Sequence, residues 1–188
     1  MNVEMTAELS ECRNYRYSLT RKWGEGTRLV VIGLNPSTAD ETTDDPTIRR
    51  CIGFAKAWGH SELVMVNLFA FRATDPRAMK AEKLPCGALN NEKIIEACQG
   101  ASMVLAAWGT HGNHRARAYM LKRILADRGI SLHCLGKTKD GDPRHPLYIA
   151  ASTLPTTYQP GTCPESPESI GRETDQLIAS NQKRGPNN

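Results

Sequence analysis

The sequence predicts an α/β fold, a three-layer α/β/α sandwich around a mostly parallel, four-stranded central sheet. Three observations carry that prediction. Short apolar runs recur: RLVVIG (28–33), ELVMVNL (62–68) and ASMVLAAWG (101–109). Such runs mark strands buried on both faces, as central parallel strands are. Segments with helical spacing of apolar residues lie between them, and strands alternating with helices build a layered parallel sheet.

Each element has its own local reason. NYRYSLTRKW (14–23) alternates apolar and polar residues and reads as an edge strand or hairpin arm. The 28–33 run ends at Gly33. From Pro46 to Trp58, Ile48, Cys51, Ile52 and Ala55 follow the i, i+3, i+4, i+7 rule, with Asp45 as cap and Gly59 as stop. After the second strand, residues 88–98 form a helix with Leu89, Ile94, Ile95 and Cys98 apolar. The third strand leads to a helix over 113–128, with Ala118, Leu121, Ile124 and Leu125 inward and Arg115, Arg117, Lys122 and Arg123 largely outward. ISLHCL (130–135) supplies the fourth strand. Residues 1–11 read as a flexible N-terminus and 12–158 as a single domain. Residues 159–188 read as a Pro-, Gly- and Ser-rich tail with a short helix near 168–179.

Composition bounds the function. At 188 residues the chain is sized for one domain. With 39% hydrophobic and 23% charged residues it reads as soluble and globular, and no apolar run approaches the roughly 18–20 residues of a membrane span. MNVEMTAELSEC lacks an apolar signal core, so the expected location is the cytoplasm, away from membranes. A net charge of +4 permits a polyanionic partner. The six cysteines include no CxxC pair and are expected as free, mostly buried thiols, and no metal site is expected.

In open parallel sheets, ligands sit at the carboxyl ends of the strands. The segments expected there are GLNPSTAD, NLFAFRATDP, WGTHGNHR and GKTKDGDPRHPLY. All are rich in Asn, Asp, His, Arg, Gly and Pro. Connections that only join elements are more often about two to six residues long. Asn67 ends an apolar strand, where a buried amide needs partners for two donors and an acceptor. His145, between Arg144 and Pro146, suits a side chain aimed at an anionic group or a leaving oxygen.

The ordered motifs CRNYRY, LNPSTAD, DDPTIRRC, NLFAFRATDP, AWGTHG and DGDPRHPLY resemble an uncharacterised bacterial and phage domain family over residues 12–150. More remotely, GLNP (33–36), Asn67 in VMVNLFAFR, the Trp-Gly of AAWGTHG and the His-Pro of RHPLY resemble the uracil-DNA glycosylase superfamily. That resemblance implies a glycosylase-like fold and hydrolysis of the N-glycosidic bond of a normal or modified base in DNA. The setting it implies is base repair or phage–host conflict, and the chemistry requires no cofactor. The implied catalytic residues are Asn35, orienting water, and His145, stabilising charge on the departing base. The implied substrate-binding set is Gly33, Leu34, Pro36, Ser37, Asp40, Asp45, Asn67, Trp108, Gly109 and Arg144. Asn stands where the superfamily has a water-activating Asp, and an amide is no general base. Intrinsic hydrolysis is therefore expected to be slow unless Asp40, Asp44 or Asp45 assists. Two other readings stay open: a non-hydrolytic DNA-binding or base-modification accessory module, and a hydrolase or transferase of free nucleotides.

Overall fold

A computed structural model of the chain describes residues 3–159. Strand β1 (Glu4–Leu9) pairs antiparallel with β2 (Arg16–Lys22). Then follow β3 (Arg28–Gly33), helix α1 (Pro46–Ala57), β4 (Glu62–Asn67), α2 (Pro76–Ala81) and α3 (Asn90–Cys98). The chain continues through β5 (Met103–Ala106), a 3₁₀ segment (Gly109–Ala116), α4 (Arg117–Ala126) and β6 (Leu132–Cys134). A 3₁₀ turn (Pro146–Tyr148) and β7 (Thr156–Thr157) end the described fold.

The sheet has seven strands in the order β1-β2-β4-β3-β5-β6-β7. Its centre, β4-β3-β5-β6, is parallel, and these are the four strands the apolar runs mark. The flanking pairings β1–β2, β2–β4 and β6–β7 are antiparallel. The expected four-stranded, mostly parallel sheet is thus corrected to a mixed sheet of seven. Residues 4–9, expected ahead of the domain, form its edge strand. EMTAEL carries polar residues at alternate positions (Glu4, Thr6 and Glu8), which suits an edge strand.

Alternation along the central strands gives the sheet two apolar faces. Leu29, Val31, Leu63, Met65 and Leu105 pack with Ile48, Cys51, Phe54 and Ala55 of α1. Val30, Ile32, Val64, Val66, Val104 and Ala106 pack with α3 and α4 through Ile94, Cys98, Ala118, Leu121 and Leu125. Helices therefore cover both faces. Asp45 starts α1 by accepting from the Ile48 N–H at 2.9 Å, and Pro46 occupies the first turn, where its missing N–H costs nothing. Tyr158, at the end of the expected domain, is buried against Trp108. The helix expected near 168–179 lies outside the described residues. Among the described residues, no helix is long and apolar enough to cross a membrane.

Candidate functional site

Backbone hydrogen bonds gather the loops at the carboxyl ends of the central strands. Leu68 and Phe69 donate to the carbonyls of Gly33 and Leu34, and Ala73 donates to that of Pro36. The GLNP segment therefore runs beside the chain leaving β4. Ala107 donates to Ile32, and Gly109 donates to Pro143 at 2.9 Å, which draws the RHPLY loop to the end of β5. Arg144 is exposed, and its N–H bonds the Gly136 carbonyl.

Asn67 is the most unusual residue at this end. It is 1% exposed, and neither its Nδ2 nor its Oδ1 has a hydrogen-bond partner. Leaving such groups buried and unmatched costs roughly 1–3 kcal/mol each. Its parity with Leu63 and Met65 directs the side chain to the α1 face. Gly33 is its parallel partner across the ladder, and a Cβ there would lie 2.7 Å from Oδ1 of Asn67 and 2.5 Å from Cε of Met65. Gly33 is required by space. The Asn67 backbone is pinned from the other side, because Nδ2 of buried Asn90 donates to the carbonyls of Asn67 (3.0 Å) and Leu68 (2.9 Å). Arg117 Nε donates to the same Leu68 carbonyl at 2.7 Å.

His145 sits over α1 on that same face. Arg50 of α1 donates to the Ile149 carbonyl and clamps the 145–149 loop onto the helix. Nδ1 of His145 accepts the Leu147 N–H at 3.3 Å, so in the neutral ring the proton is on Nε2. Burial lowers the pKa of His145, and the nearby Asp45 carboxylate partly opposes the shift. Asp45 thus links the end of the β3–α1 connection electrostatically to His145. Asn35 Nδ2 donates to the carbonyls of Ala73 (2.7 Å) and Pro36 (3.0 Å), leaving its Oδ1 as the group able to orient a ligand or water.

The long connection between β3 and α1 is a fixed structure held by arginines. Arg16 donates to the Ala39 carbonyl at 2.8 Å, and Arg21 donates to the Asp40 carbonyl at 2.6 Å and the Asp44 carboxylate at 2.8 Å. Arg72 reaches the Ser37 carbonyl, and Arg13 pairs with Glu41. Asp40 folds the loop on itself, accepting from the N–H groups of Thr42 and Thr43, which with the Thr42 hydroxyl hold its carboxyl below its usual pKa. Each acid whose assistance would speed hydrolysis is therefore engaged: Asp40 in this turn, Asp44 with Arg21, and Asp45 as the cap of α1.

Three expectations are corrected. Trp108 does not join this cluster. It is 2% exposed in the core facing α3 and α4, its ring against Tyr158 and Gly112. Leu34 likewise packs toward that core. The parity of β5 explains the first, because Leu105 and Ala107 face α1 while Ala106 and Trp108 face away. Arg117, expected outward, is buried beneath Leu68. Gly33, Asn67, Asp45 and His145 share the α1 face, with Asn35, Pro36 and Ser37 in the adjoining loop. Gly109 acts through its backbone. Arg16 and Arg21 were missed because charge in a strand reads as solvent-facing. Their recurrence five residues apart beside an acidic loop was the available signal.

A cavity of about 440 Å³ opens elsewhere, at the amino ends of β5 and β6, between residues 98–104 and 128–133. The carboxyl end is the stronger candidate, because the unmatched amide, the histidine and the arginine-held loop lie there. No group of three or more His, Cys, Asp or Glu among the described residues is placed to hold a metal ion.

The chain belongs to the family described as a protein of unknown function (DUF1643), which it matches over residues 16–147. No curated protein and no solved structure matches it.

Proposed function

We propose that the chain is a glycosylase-like protein that holds an extruded base of DNA at the carboxyl ends of β3 and β4 and hydrolyses its N-glycosidic bond. On this reading the parallel core with helices on both faces is a uracil-DNA glycosylase-like scaffold extended by edge strands. The observation that carries the proposal is the Asn67 amide, buried with donor and acceptor both unmatched on the face that also bears His145. A base edge presents the complementary acceptor and donor, and an enzyme acting on a base must take it out of the stack to reach it.

The chemistry follows from the groups present. Cleavage leaves negative charge on the departing base, and the Nε2–H of a neutral His145 is the donor suited to stabilise it. Such a contact strengthens as charge develops, which lowers the barrier instead of merely tightening binding. Asn35 Oδ1 orients the water whose oxygen bonds to the sugar carbon as its bond to the base nitrogen breaks, and the proton that water sheds ends, by way of solvent, on the departing base anion. The arginine-held loop forms the lip, and Asp45 keeps an anion beside His145.

A second reading, a DNA-binding module without hydrolysis, draws on one observation: no carboxylate in the loop is left free to act as base. Incubation with DNAs carrying normal, deaminated and modified bases, followed by alkali cleavage, separates the two. The proposed enzyme leaves alkali-labile abasic sites, and Asn35→Ala and His145→Ala abolish them while the fold persists. DNA retention without abasic product selects the module. Turnover of free nucleotides with indifference to DNA overturns both.

A further inference from the structure

Arg16 is the least explained charged residue in the molecule. It is 1% exposed, its Nη1 meets the Ala39 carbonyl, and its Nε has no partner. Among the described residues it forms no ion pair, whereas the equally buried Arg21 has Asp44. A buried guanidinium left without a paired anion costs several kcal/mol, so folds rarely keep one without use. The charges around Arg16 are Asp45 and Asp40, which stabilise it, and Arg72 and Arg21, which oppose it, while burial pushes its pKa down to about 10. Both acids are committed to other bonds.

The other unmatched atoms on the α1 side add a second constraint. With Arg16 Nε these are Arg50 Nε and Asn67 Nδ2, all donors, against the single acceptor Asn67 Oδ1. A plain amide edge would satisfy Asn67 and leave the Nε atoms of Arg16 and Arg50 unanswered. An occupant that matches the set carries more acceptors than donors, and negative charge.

We infer that the candidate site takes a base bearing an anionic oxygen substituent, and that Arg16 is the residue that reads it. This rests on the proposed function and narrows its substrate class. Arg16 stands on β2 close enough to feel Asp45, the carboxylate that also acts on His145, and its bond to Ala39 ties recognition to the β3–α1 connection. The uncharged Asn67 edge reads the ring, and the guanidinium reads the substituent. Exchanging Arg16 therefore alters which base is preferred, whereas exchanging Asn67 weakens every base.

The test is equilibrium binding at fixed salt of single-stranded oligonucleotides containing 5-carboxymethyluracil, its neutral methyl ester, or uracil. The expected result is that the wild type prefers the carboxylate to the ester by about tenfold or more, as for a hydrogen bond to a charged group. Arg16→Gln brings that ratio to about one while still binding the ester, and Arg16→Lys keeps part of it because the charge remains but the planar fork does not. Circular dichroism melting accompanies each variant, and if Arg16→Gln does not fold, the wild-type ratio and Arg16→Lys decide. Equal binding of carboxylate and ester by the wild type, or an unchanged ratio in Arg16→Lys and Arg16→Gln, overturns the inference and leaves the proposed function standing. Failure to bind any of the three oligonucleotides overturns both.

Discussion

Gly33 and Asn67 face each other across the parallel ladder, and the amide of one occupies the space a side chain on the other would need. A β-carbon at Gly33 would stand 2.7 Å from Asn67 Oδ1. The strand end is therefore shaped around the amide.

Gly33→Ala is expected to displace Asn67 and Met65 and to destabilise the protein by about 1–3 kcal/mol, as overpacking in a tight core does. Gly53→Ala is the matched control. Nothing lies within 4 Å of a Cβ at Gly53 in α1, and the change removes a flexible residue from a helix interior. It should stabilise by roughly 0.5–1 kcal/mol. Urea unfolding of both variants checks the pair, and a stabilised Gly33→Ala would contradict the packing described.

Asn90→Ala removes both donors that hold the carbonyls of Asn67 and Leu68. About 2–3 kcal/mol of stability should be lost, since two buried acceptors lose a partner. Loss of DNA affinity beyond that seen for a comparably destabilised core variant such as Ile94→Ala would show that Asn90 also positions the site.

Arg21→Met should cost about 3–5 kcal/mol, the usual penalty for stripping one partner from a buried ion pair. Asp44 would lose its cation, and the carbonyls of Asp40 and Thr43 a donor. Arg13→Ala removes an exposed pair with Glu41 and should change stability by less than about 1 kcal/mol. Similar losses for the two would refute the view that the buried arginines organise the loop.

Stability should fall as the solution is acidified through the histidine range. Burial lowers the pKa of both His60 and His145 below the ordinary 6.5. Below about 6.5 the unfolded chain binds more protons than the folded one, so folding weakens between that pH and the depressed folded values. Above it the contribution is fully present. Urea unfolding from pH 8 to 5 checks the sign, and His60→Gln should flatten part of the slope. A rise in stability over that window would contradict it.

Much of the fold was legible because central strands announce themselves. The 28–33 run matches β3 end to end, and the helix from Pro46 follows its cap and spacing closely. The parts that escaped lack such signals. β7 is two residues long, α2 is six, and β1 is an edge strand with polar Glu4, Thr6 and Glu8, so none buries enough apolar surface to set a pattern. In the site, Asn67 was legible as a polar residue closing an apolar strand. Trp108 was misplaced, although counting by twos from Leu105 puts it on the opposite face. The arginines were illegible, because sequence does not distinguish a cation on a solvated edge from one that holds a loop through its carbonyls.

The most direct measurement follows the side-chain amide resonance of Asn67 by ¹H–¹⁵N NMR during titration with an oligonucleotide that carries a releasable base. This resonance is expected to shift strongly, with the Asn35 amide and the His145 ring, while the residues of the cavity at the amino ends of β5 and β6 stay still. An Asn67 resonance unmoved at saturation, with the shifts gathered at residues 98–104 and 128–133, would contradict it.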